Sequence, residues 1–102
     1  MPFRVQEAAS YRLDDIYRYT RDRWGEAQAR RYIEGLFEAF AGIETGRTRS
    51  RPIPAEFGVD GFVARHERRL IYWRRLPNGD VGVVTVLHER MHQIERFGED
   101  FA

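Results

Sequence analysis

The segment His88-Glu89-Arg90-Met91-His92 matches the pattern H-E-x-x-H. That pattern binds zinc when both histidines sit one helical turn apart, with the glutamate as general base. Here the preceding run, Val81 to Leu87, is rich in β-branched residues, so His88 is expected at the end of a strand. In extended geometry His88 and His92 lie too far apart to share an ion. A third ligand could come from His66, Glu95 or Glu99, but nothing in the spacing selects one. The expectation is therefore no metal and no cofactor. Other chemistries fare no better. The only serines, Ser10 and Ser50, stand in no nucleophile elbow. No glycine-rich phosphate loop precedes a helix. Asp14 and Asp15 are neighbours on a helix and point apart. Catalytic residues are expected to be none.

The elements that carry these side chains are legible from periodicity. Phe3-Arg4-Val5-Gln6 alternates as a short strand. Ala9, Leu13, Ile16, Tyr17, Thr20 and Trp24 then recur at helical spacing, and Gly25 ends that helix. A second stripe follows at once: Ala29, Tyr32, Ile33, Leu36, Phe37, Phe40 and Ile43. Together they predict an αα-hairpin, with Gly35 allowing close approach to the first helix. Residues 44–61 read as loop, with Pro52, Pro54, Gly58 and Gly61, and with arginines at 47, 49 and 51.

Three β-type runs come next: Phe62 to His66, Leu70 to Leu76 and Val81 to His88. Asn78-Gly79 marks the hairpin between the last two, and Glu67-Arg68-Arg69 is the expected turn between the first two. Strict alternation puts Val81, Val83, Thr85 and Leu87 on one face of the last strand, and Val84, Val86 and His88 on the other. Both faces are apolar, which predicts a central strand. A short helix is expected around Met91, Ile94, Glu95 and Phe97. The fold class is α+β, β-α-α-β-β-β: a helical hairpin on a small, mostly antiparallel sheet, whose other face is partly open.

Composition bounds the function. The 102 residues are expected to form one domain, with enough apolar side chains (42%) for a modest core. There is no cysteine, so no disulfide or thiolate site is available. No run approaches the length of a membrane helix, and Met1-Pro2-Phe3-Arg4 lacks a signal-peptide core, so a cytoplasmic location is expected. All 17 basic residues are arginine, against 16 acids. So even a balance excludes a polycation that coats nucleic acid, and no sequence-specific binding to it is expected. The arginine fork suits carboxylate or phosphate partners at an interface.

Several stretches carry a family resemblance. Ala9-x-x-x-Leu13-x-x-Ile16-x-x-Tyr19, Arg23-Trp24-Gly25-Glu26 and Gln28-Ala29-x-x-Tyr32-Ile33 resemble the helical hairpin of the ParE toxins in the ParE/RelE superfamily. Leu70-Ile71-Tyr72-Trp73-Arg74 and Val86-Leu87-His88-Glu89-Arg90-Met91 resemble its last two strands. The resemblance implies a type II toxin that inhibits DNA gyrase by binding. It also implies a ParD-like antitoxin whose acidic, amphipathic segment covers the toxin in a hetero-oligomer. Candidate antitoxin- or target-binding residues are Arg12, Arg30, Arg31, Arg65, Arg74, His88 and Arg90. The alternative is a ribosome-dependent mRNA endoribonuclease of the RelE type, with Arg65, Glu67, Arg74 and His88 as its acid–base and phosphate-binding groups. Against it, the tail Phe97-Gly98-Glu99-Asp100-Phe101-Ala102 offers no tyrosine or basic residue.

Overall fold

The computed structural model describes residues 3–90 and Asp100. Strand β1 (Phe3–Val5) leads into helix α1 (Glu7–Trp24) and helix α2 (Glu26–Thr45). Strands β2 (Ser50–Pro52), β3 (Phe62–His66), β4 (Arg69–Arg75) and β5 (Val81–His88) complete a five-stranded sheet of order β1-β5-β4-β3-β2. Only β1 and β5 run parallel; all other neighbours are antiparallel. Strand β5 is central over its first residues, as its two apolar faces demand.

Gly25 alone separates the helices. Its φ of 93° is open to glycine but strained for other residues, so the chain reverses in one step. Ala9, Leu13 and Ile16 of α1 and Ala29, Leu36, Phe40 and Ile43 of α2 are buried, as their spacing predicts. The stripes are not covered throughout: Trp24, the last residue of α1, is 64% exposed, and Phe37, midway along α2, packs on Phe3 and Phe40 but is only partly covered. Thr20 is buried without penalty because its hydroxyl donates to the Ile16 carbonyl, 2.8 Å away.

The helix-side core gathers Phe3, Leu13, Ile16, Leu36, Phe40, Ala64, Ile71, Trp73, Val81, Val83 and Val86. A smaller cluster of Ile53, Val63, Tyr72 and Leu87 occupies the opposite face, with Phe57 and Val59 packed against it. So the far face is partly covered, and the cover comes from the segment expected to be a plain loop. Residues 44–61 supply edge strand β2 and a 3-10 turn at Ala55–Phe57. A three-residue strand has no readable period. Pro52 is admissible because it ends an edge strand, and Ser50 faces the helices, accepting a 2.9 Å bond from Trp73 Nε1.

Two further expectations are corrected. Tyr72 pairs with Thr85 but Trp73 pairs with Val83, so Val84 is an additional residue in β5. This bulge swaps the faces. Val81, Val83 and Val86 join the helix side, while Leu87 joins the opposite cluster. Gly35 does allow a close approach, but to His66 of β3 rather than to α1. The β3–β4 turn lacks glycine, and Glu67 takes φ 55° instead. The Asn78-Gly79 turn forms as expected, with Gly79 at φ 92° and the Asp80 amide bonded to Asn78 Oδ1 at 3.0 Å. The expected C-terminal helix around Met91 to Phe97 lies outside the described residues.

Gly42 fixes the exit from α2. Thr48 donates from its amide to the Gly42 carbonyl (3.0 Å) and from its hydroxyl to Ala39 (3.0 Å), so its side chain fills the space a Cβ would need. Alanine would gain about 1 kcal/mol of helix propensity. Displacing Thr48 costs about 1–3 kcal/mol and a hydrogen bond, so the clash wins. Gly42→Ala is expected to lower the melting temperature by several degrees, read by circular dichroism.

Candidate functional site

At the end of the sheet where β3, β4 and β5 finish, His66 faces Arg69 and Arg69 faces His88 in adjacent registers. One row of basic side chains thus points towards the hairpin. Above it stand Tyr32 of α2 and the C-terminal half of α1. The gap between them is an open groove of about 850 Å³. Ile16, Tyr19, Trp24 and Tyr32 supply its aromatic and apolar lining, Arg68 and Arg69 its cationic one, and Asp15, Glu67 and His88 complete it.

The groove is built from groups held in place. Tyr32 lies 5.9 Å from the His66 ring, and the Arg69 guanidinium sits 5.9 Å from the Tyr32 ring centre. Burial pushes the Tyr32 hydroxyl up from its ordinary pKa, against the hydrogen bond and charge of Arg69, which lower it. His88 Nδ1 accepts the amide of Arg90 at 3.1 Å, which orients the ring. Tyr19 is half exposed and meets Trp24 edge-on, while Arg23 lies 4.8 Å from the Tyr19 ring. An exposed tryptophan and tyrosine beside arginines have the composition of an interface hot spot.

The seven candidate residues do not converge on one surface. His88 lines the groove. Arg90, just beyond it, is exposed. Arg30 and Arg31 are on the outer face of α2, engaged with Glu26 (3.1 Å) and Gln28 (2.8 Å). Arg65 is on the opposite sheet face and binds Glu89 at 2.6 Å. That contact holds the Glu89 carboxyl below its usual range. Arg12 and Arg74 share a polar slot with Asp100. The endoribonuclease set is likewise divided: Arg65 and Arg74 lie on one face of the sheet, while Glu67 and His88 line the groove on the other. Periodicity put Trp24 and Tyr32 on the core stripes and Arg68 and Arg69 in a turn, so neither they nor Tyr19 stood out as groove residues. The available signal was Trp24 beside Gly25, because a stripe residue at a helix end has little left to pack against.

Among the described residues no group of three His, Asp or Glu side chains is placed to hold a metal. His88 ends a strand, as its β-branched approach predicts, and His92 lies outside the described residues. Among those residues no helix is long and apolar enough to cross a membrane.

Tyr72 offers a pH readout. Burial pushes its hydroxyl up to about 12, with Arg51 pulling the other way. A raised pKa means the fold favours the neutral phenol. Its contribution is fully present below pH 10, the ordinary tyrosine value, and is lost as pH rises towards 12. Ultraviolet titration is expected to show Tyr72 ionising towards pH 12, with stability falling in that window. Five overlapping transitions near pH 10 would contradict this.

The comparisons agree with this architecture. The family model for the ParE toxin of type II toxin-antitoxin system, parDE, matches residues 3–93. The Toxin ParE of Escherichia coli is 33% identical over 87 residues, which is 85% of this chain and 84% of the relative. A solved structure described as the chromosomal ParDE TA system from P. aeruginosa shares the fold, with a TM-score of 0.65 at 16% identity. It covers 86% of this chain and 95% of that one. With the family pattern spanning β1 to the end of β5, this chain belongs to the ParE toxin family of type II toxin–antitoxin systems.

Proposed function

We propose that the chain is a toxin that inhibits DNA gyrase, and with it replication, by binding rather than by catalysis, and that a ParD-like antitoxin neutralises it. The observation that carries the reading is the groove between hairpin and sheet. Its apolar and aromatic lining suits one face of an amphipathic segment, and Arg68, Arg69 and His88 suit the carboxylates beside that face. Buried among such groups, charge-assisted bonds fix orientation while the aromatics supply affinity. A cytoplasmic location suits such a target.

The test is a supercoiling assay with purified chain and gyrase, scoring cleaved DNA. Inhibited supercoiling with linear DNA, relieved by the antitoxin encoded beside the toxin, is the expected result. Normal supercoiling together with cleavage of ribosome-bound message would replace this reading with the endoribonuclease one.

A further inference from the structure

A second surface lies on the other face of the sheet, linked to the groove through Glu89, which meets both Arg65 and Arg68. The near-neutral charge of the chain hides an uneven distribution: residues 47–90 hold nine arginines against five acids. Three of these arginines meet at the β2 edge. Arg51 pairs with Val63 and Ser50 with Ala64 in the β2–β3 register, and Arg49 immediately precedes the strand. Because Ser50 points to Trp73 on the helix side, Arg51 points to the other face, where Val63 and Leu70 lie. Arg49, Arg51 and Arg65 line one shallow crevice of about 290 Å³ with Ser50, Val63, Ala64 and Leu70, and no acid is among its lining residues. Arg49 and Arg51 are exposed and form no ion pair among the described residues; Arg65 has Glu89.

Like charges gathered in one crevice repel, so the cluster gains stability when an anion lies between them. We infer that the Arg49–Arg51–Arg65 crevice binds the phosphate backbone of nucleic acid, independently of sequence. Two features favour phosphates over an acidic protein segment. Val63 and Ala64 are buried, so the crevice offers little apolar ground for the leucines of an amphipathic helix. Strand β2 is three residues long and ends in Pro52, so it is a poor template for strand addition. What remains is guanidinium forks at the i, i+2 spacing of an extended chain, which suit successive phosphates. A gyrase inhibitor with such an edge could touch the DNA as well as the enzyme, but the inference does not need the gyrase reading.

The experiment is fluorescence anisotropy with the full chain and a labelled random-sequence 20-mer DNA duplex, in low salt, titrated to about 100 μM because non-specific affinities run from ~10⁻⁴ to 10⁻⁶ M. Binding should weaken with salt, with a log–log slope of roughly −3 if three phosphates are neutralised. Arg49→Glu/Arg51→Glu should lower affinity by at least tenfold and reduce the slope by about 2, whereas Arg30→Glu/Arg31→Glu should change little. Circular dichroism checks that the variants fold, which is expected because all four residues are exposed. No binding over this range, or equal binding by the Arg49/Arg51 variant, overturns the inference. A glutamate decapeptide displacing the duplex at matched charge also overturns it, by making the crevice a site for acidic protein. Supercoiling inhibition by the same variants is scored separately, so the two readings can fail independently.

Discussion

Trp24→Ala combined with Arg68→Glu is expected to lower affinity for the ParD-like antitoxin by at least about a hundredfold, since interface hot spots are worth ~2 kcal/mol or more each. Trp24 is mostly exposed in the free chain, so its loss leaves no cavity. Arg68 is also exposed and lies 3.7 Å from Glu89, a surface pair of small worth. The melting temperature should therefore hold while binding falls. Isothermal titration against the antitoxin measures the first effect. Growth under co-expression measures the second, because a variant that escapes its antitoxin while remaining toxic stops the cell. Affinity within threefold of the parent would place the antitoxin elsewhere and remove the groove from the account.

The second large effect is on stability. Arg12 grips Asp100 through Nε at 3.1 Å and Nη2 at 3.0 and 3.2 Å, and Thr85 Oγ1 donates to the same carboxylate at 2.7 Å. The Asp100 side chain is 7% exposed and that of Arg12 19%. Removing Arg12 leaves a carboxylate and a polar strand residue buried without their charge partner. Breaking such a pair costs about 3–5 kcal/mol when fully buried, and residual solvent at Arg12 argues for the lower end. Arg12→Ala should therefore destabilise more than Asp100→Asn, which keeps a group able to bond Thr85. The double variant should be less destabilised than the sum of the singles. Urea unfolding of the four proteins closes the cycle; strict additivity would mean the pair contributes nothing.

The groove has a different physical origin from the clasp. It lies where Tyr19 and Trp24, in the last turns of α1, stand beside His88, the last residue of β5.

The sequence by itself determined the hairpin, because two 3.6-residue stripes separated by one glycine admit no other compact arrangement. It also determined the β3–β4–β5 meander, from β-branched runs and an Asn-Gly turn, and it placed His88 at a strand end. The tertiary structure alone decided which face each β5 residue serves, since the bulge at Val84 is a property of register with β4 and leaves no mark in alternation. It alone paired Arg12 with Asp100 across 88 positions and made an edge strand of Ser50–Pro52. Local periodicity reports what a chain segment does with its own neighbours. Sites built where several elements end depend on lengths, registers and distant partners, and those are settled only when the elements meet.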